Sequence, residues 1–190
     1  MDATGSTDFA PVPAQPTPEP SQVGTPWRVR PAVPEDVKRI DALVHELATY
    51  EREPEAVLAT ADDFRAALFG ANPRVHCHVA EISGPDGPLV VGMALWFVSF
   101  STWRGRHGIW LEDLFVQPEH RRLGLGRALL EALAQVCVER GYRRLEWWVL
   151  NWNTLAHDFY RSLGADPQPD WTTWRVDGDA LTRLGTKPSS

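Results

Sequence analysis

Cysteine is scarce in this 190-residue chain, where Cys77 and Cys137 stand alone and far apart. That spacing offers neither a disulfide framework nor a zinc pattern, and it points to a reducing compartment, the cytoplasm. The triplet His76-Cys77-His78 does not supply a metal site: on an alternating strand the two histidines share one face, the cysteine takes the other, and no further ligand cluster accompanies them. No metal is expected. Positive charge is also in deficit. A formal charge of −6 and an isoelectric point near 5.5 disfavour a nucleic-acid partner, which calls for a basic face, and suit a cationic small molecule. No run of 18 apolar residues exists, and no basic start leads into an apolar block, so neither a membrane span nor a secretion signal is expected.

With 43% hydrophobic residues and 9 tryptophans, one domain is expected to pack a core without covalent staples. Residues 1–26 hold six prolines and few core-forming side chains, so they read as a disordered tail, and residues 27–185 as a single domain. Within that domain "WRVR" alternates as a strand. Val37, Ile40, Leu43, Val44 and Leu47 recur at helical spacing behind Pro-Glu-Asp, and "ATADDFRAALFG" makes a second helix closed by Gly70. "RVHCHVAEI" and "LVVGMALWFVSF" read as a hairpin around "SGPDG". There follow strand "GIWLEDLFV", helix "GLGRALLEALAQVCVERG", strand "RRLEWWVL", helix "NTLAHDFYRSLG", a last strand near "TWRVD" and a short helix. The order βααβββαβαβ predicts an α+β fold: a mixed, mostly antiparallel twisted sheet with helices on both faces.

Residues 111–133, "LEDLFVQPEHRRLGLGRALLEAL", carry the densest chemistry. An apolar strand bearing adjacent carboxylates, Glu112 and Asp113, runs through a proline turn into an Arg/Gly loop that opens a helix. Free N–H groups and the positive end of a helix dipole favour phosphate at such a loop. Neighbours on a strand point to opposite faces, so Glu112 and Asp113 occupy one cleft only if a bulge intervenes. Asp113 reads as a structural acid.

The run Val116, Pro118, Arg121, Gly124, Gly126, followed by "NWNTLAHDFYRSLGA", resembles the acetyl-CoA loop and next-helix signature of the GCN5-related N-acetyltransferase superfamily. "VRPA", "ELATYE", "HCHVAE", "STWRGR", "WLEDLFV" and "VLNWN" further resemble its diamine acetyltransferase branch, the spermidine/spermine and thialysine enzymes. "STWRGR" and "VLNWN" lean toward the thialysine type. Two departures stand out: Arg122 occupies a position where glycine is common, and Asn151 one where an acid often precedes the tryptophan.

The resemblance implies transfer of acetyl from acetyl-CoA to the primary amine of a small cationic substrate. It places Arg121, Arg122, Leu123, Gly124, Leu125, Gly126 and Arg127 around the pyrophosphate, and the backbone of Leu114, Phe115 and Val116 along the pantetheine arm. Asn153 and Ala156 also meet the cofactor. Tyr160 protonates the departing thiolate and also contacts the cofactor, while Glu112 takes the amine proton. Tyr50, Glu51, Glu112, Trp148 and Trp152 line the amine site, and a homodimer is implied. Two alternatives stay open: an acetyltransferase for another amine, such as a protein N-terminus or an aminoglycoside, and a non-catalytic acyl-CoA-binding module.

Overall fold

The computed structural model describes residues 27–85 and 87–186, so the expected proline-rich tail lies outside the described residues. The described residues divide into two compact units, the first ending at Trp148 and the second beginning at Val149.

The first unit contains β1 (Trp27–Pro31), α1 (Val37–Tyr50), α2 (Ala61–Phe69), β2 (His76–Gly84), β3 (Gly87–Ser101), β4 (Arg106–Val116), α3 (Leu125–Glu139) and β5 (Leu145–Trp147). Its sheet runs β1-β2-β3-β4-β5, antiparallel through β4, with β5 parallel to β4. The mixed, mostly antiparallel sheet expected from the sequence is therefore present. α1 forms because Val37, Ile40, Leu43 and Leu47 fall on one buried stripe. α2 starts on a reciprocal cap, in which Asp63 N–H donates to the Thr60 hydroxyl at 3.3 Å and Thr60 N–H donates to the Asp63 carboxylate at 2.9 Å.

Strand alternation sorts the core into two layers. Cys77, Val79, Met93, Leu95 and Phe115 pack with Ile40, Leu43 and Leu47 of α1 and Leu68 of α2. The residues between them on the strands, including Ala94, Trp96, Ile109 and Leu111, are also buried and face the other way, toward the buried Leu125, Leu129 and Leu133 of α3. On that second face Trp96 Nε1 donates to His78 Nδ1 at 3.1 Å, and the His76 ring lies 4.4 Å from the Trp96 ring. The histidines of the triplet are thus core partners of a tryptophan. The sheet edge is held by ions: Arg30 bonds Asp36 and Glu81, Arg28 bonds Glu81, and both acids are buried.

The second unit contains α4 (Thr154–Ser162) and α5 (Gly178–Gly185). Two expectations need correction. The strand expected over residues 143–150 pairs over only Leu145–Trp147. Its β4 partner is bulged immediately after Leu111, and a bulge bends and twists a strand away from its neighbour. The expected last strand, residues 173–177, is not a strand. Aromatic and β-branched residues favour strands through packing on a half-buried surface, and here Trp174 is 91% exposed.

Candidate active site

Along β4, Asp113 pairs with Leu95 of β3 and Leu111 pairs with Trp96, which leaves Glu112 as the extra residue of a β-bulge. Counting from Trp110, alternation puts Glu112 on the α1 face. Counting from Leu95, register puts Asp113 there too. The bulge that the sequence left as a condition is present, and it sets both carboxylates on one side of the sheet. Their electrostatics agree. Burial, then the charge of Glu112, then that of Glu51 push the Asp113 carboxyl up to about 6. Glu51 follows the last residue of α1, and burial raises its own pKa. Glu51, Glu112 and Asp113 form one acidic group on the α1 face.

An aromatic wall adjoins it. Trp110 Nε1 donates to the Glu112 carboxylate at 3.1 Å, and the Trp148 ring meets the Trp110 ring edge-on at 4.9 Å. Trp148, one of the expected amine-site residues, is 57% exposed. Sequence reading passed over Trp110 and ranked Asp113 as structural. The signal for Trp110 was its position two residues before Glu112, which shares a face on any extended strand. Asp113 had no such signal, because its side depends on the bulge.

The β4–β5 ladder ends at Leu111 and Trp147, while β4 runs on to Val116. Beyond the bulge, among the described residues β4 has a ladder on its β3 side alone, and Leu114, Phe115 and Val116 lie in that stretch. Phe115 and Val116 bury their side chains, so the backbone is the part of them left to an amide-bearing chain.

The loop after β4 fits an anionic diphosphate. Arg122 and Gly124 adopt left-handed conformations, with φ of 71° and 84°. Successive N–H groups in such turns converge into anion-binding concavities. Gly124 caps α3 with no side-chain hydrogen bond, so the first-turn N–H groups of Leu125, Gly126 and Arg127 receive no cap from it. Leu125 anchors the turn with a side chain only 1% exposed, whereas Leu123 is 47% exposed. Arg127 pairs with Glu131 on the surface. The common glycine at position 122 has a physical reason in this backbone, and Arg122 adopts the same conformation at a steric cost. The Arg121 guanidinium lies over the Tyr50 ring, 4.5 Å from its centre, and its Nε donates to the Val116 carbonyl at 3.0 Å.

In the second unit Asn153 caps α4, its side-chain oxygen accepting the Ala156 N–H at 3.3 Å. Tyr160 is half-buried on that helix, with its ring 5.2 Å from that of Phe159. Trp152 precedes the cap and is 43% exposed.

Residues 40–165 match the model of the acetyltransferase (GNAT) family. The chain belongs to that family. Thialysine N-epsilon-acetyltransferase of Bos taurus is 39% identical over 166 residues, spanning 84% of this chain and 97% of that protein. L-ornithine N5-acetyltransferase of Arabidopsis thaliana is 30% identical, spanning 83% of this chain and 87% of that protein. An integron cassette protein from the mobile metagenome of V. cholerae shares the fold, with a TM-score of 0.70 at 24% identity, covering 86% of this chain and all of that one. This GNAT protein is an N-acetyltransferase acting on amines, which sets aside the non-catalytic module, and acetyl-CoA is the co-substrate of the family. Among the described residues no helix is long and apolar enough to cross a membrane, and no cluster of His, Cys, Asp or Glu is able to hold a metal ion.

Proposed function

We propose that this enzyme acetylates a primary amine of a small cationic substrate: a thialysine- or lysine-like amino acid, a diamine or a polyamine. The observation that carries the reading is the β4 bulge, which sets Glu112 beside Asp113 on the face where Glu51 follows α1. Three carboxylates against the rings of Trp110 and Trp148 suit an alkylammonium, through charge and through the ring faces. The thialysine and ornithine acetyltransferases among its relatives support the same class.

Acetyl-CoA supplies the acetyl group as a thioester. Backbone N–H groups of residues 122–127 receive its pyrophosphate, the Arg121 N–H being held by the Pro118 carbonyl at 3.2 Å, and those of residues 114–116 pair with the pantetheine amides; one of them also polarises the thioester carbonyl. Asn153 and Ala156 meet the same arm. An alkylammonium with a pKa of about 10.4 must lose a proton before it attacks. Glu112 accepts that proton through a water, and Asp113 and Glu51 hold the cation. Tyr50, Trp148 and Trp152 flank it. Tyr160 gives a proton to the sulfur as the thiolate leaves.

The enzyme works as a homodimer in the cytoplasm. Exposed Trp174 and Leu184 in the second unit support the first statement, and two free buried cysteines support the second.

Release of CoA thiol at pH 8, with thialysine, lysine, ornithine, putrescine and spermidine in parallel, tests the assignment. Turnover on one of these supports it and places the enzyme on the amino-acid or polyamine side. No turnover on any, with acetyl-CoA binding intact by calorimetry, overturns the substrate class.

A further inference from the structure

The loop that opens α3 is strapped to α1 at two points. At its start, Gln117 Nε2 donates to one oxygen of Glu46 at 2.8 Å, while Arg39 holds the other oxygen at 2.9 Å. Four residues on, the Arg121 guanidinium covers the Tyr50 ring at 4.5 Å and approaches the Phe115 ring at 5.8 Å. Glu46 and Tyr50 are themselves four residues apart, so they lie one above the other on a single helix face. The short 3-10 turn Pro118–His120 therefore rides along α1, with one strap on each side.

The second strap lies at the C-terminal end of α1. Tyr50 is the last helical residue, Glu51 follows it, and Arg52 leaves the helix at a φ of 70°. A terminal turn opens more readily than a helix interior. Glu51 is also the residue whose charge reaches Asp113. A continuous path thus runs from the loop backbone through the Arg121 side chain to Tyr50, then to Glu51 and the bulged carboxylates.

We propose that Arg121 is a positioning residue that transmits occupancy of the diphosphate loop to the amine-side end of α1, so that binding of CoA orders Tyr50 and Glu51. The inference rests on the cofactor reading of the loop and goes beyond it. The sequence gives Arg121 a charge for phosphate, whereas its contacts join it to the amine side. Its planar guanidinium stacks on one ring while bonding a carbonyl, a double contact that an ammonium reproduces only in part.

Amide hydrogen exchange over residues 47–53, with and without CoA, tests this without reference to any amine. In the wild type, CoA slows exchange at that helix end by about fivefold, a typical coupling between sites. At CoA concentrations that calorimetry shows to saturate each protein, Arg121→Gln abolishes the slowing and Arg121→Lys retains part of it. If Arg121→Gln does not fold, Arg121→Lys carries the test alone, with a reduced protection expected. Equal protection in the wild type and the variants overturns the proposal, as does wild-type protein that binds CoA with no change at residues 47–53. The thiol-release assay fails or succeeds separately: amine turnover without this protection sinks the coupling and leaves the enzyme assignment standing.

Discussion

Glu112 and Asp113 are sequence neighbours that share one side of the sheet, because β4 spends one extra residue between its pairings with Trp96 and Leu95. Without the bulge, one carboxylate would sit under α3 and the acidic group would not exist. The same irregularity ends the ladder to β5 at Leu111, and, among the described residues, positions 112–116 have no strand neighbour on that side. One backbone event thus assembles the acids and opens the edge beside them.

Concentrating acids costs stability, and the cost has a sign. The folded-state pKa of Asp113 is raised to about 6 by burial and by Glu112 and Glu51, above the unfolded value of about 3.9. The protonated form is favoured in the fold, so stability is fullest below pH 4 as far as this group is concerned, and falls as pH rises through 6. Asp113→Asn is expected to gain about 3 kcal/mol at most over the wild type at pH 8 and little at pH 4, while the KM for the amine rises. Urea denaturation at the two pH values checks this. An equal gain at both would assign the effect to packing.

Arg122 holds a left-handed conformation, φ 71°, that glycine adopts without a Cβ clash. Arg122→Gly is expected to stabilise the protein by about 1 kcal/mol, roughly 2 to 4 °C in Tm for a chain of this size. Because the loop contributes backbone N–H groups, CoA affinity measured by calorimetry should stay within about twofold. A large loss of affinity would show that the Arg122 side chain itself binds phosphate.

His78 governs acid sensitivity. Its Nδ1 accepts the Trp96 N–H at 3.1 Å, which requires the neutral ring, and burial, with His76 and Arg140 nearby, lowers its pKa to about 4. The unfolded chain takes up this proton near pH 6.5. Stability contributed by the neutral ring is therefore complete above 6.5 and lost as pH falls toward 4, by about 3 kcal/mol at most. His78→Leu is expected to flatten that dependence. At pH 8 it should also cost about 1 to 3 kcal/mol, because the Trp96 N–H is left without its acceptor. Thermal melts from pH 4.5 to 8 measure both effects.

Periodicity located the helices well, because α1 and α3 carry buried stripes whose spacing survives in any fold that gives them a sheet to cover. The left-handed turn that opens α3 was legible for a similar reason: a glycine pattern between strand and helix constrains local backbone, and local backbone is what a sequence encodes most directly. The register of β4 was not legible, since a bulge is a property of a strand pair. Alternation foretells that a bulge would bring Glu112 and Asp113 to one face, but not that the bulge exists. Trp110, whose Nε1 donates to Glu112, was passed over. Residues 173–177 show the opposite failure: alternating Trp174 and Val176 look like a strand, but exposed side chains gain nothing from extended pairing.

The most direct test of the bulged carboxylate as the amine's base is kcat/KM for the best amine at saturating acetyl-CoA, wild type against Glu112→Gln, across pH. The expected result is a fall of at least about 100-fold at pH 7. It should narrow as pH climbs toward the amine's own pKa of about 10.4, where solvent supplies the free base. A variant within a few-fold of wild type at pH 7 would contradict the account and remove Glu112 from the proton's path.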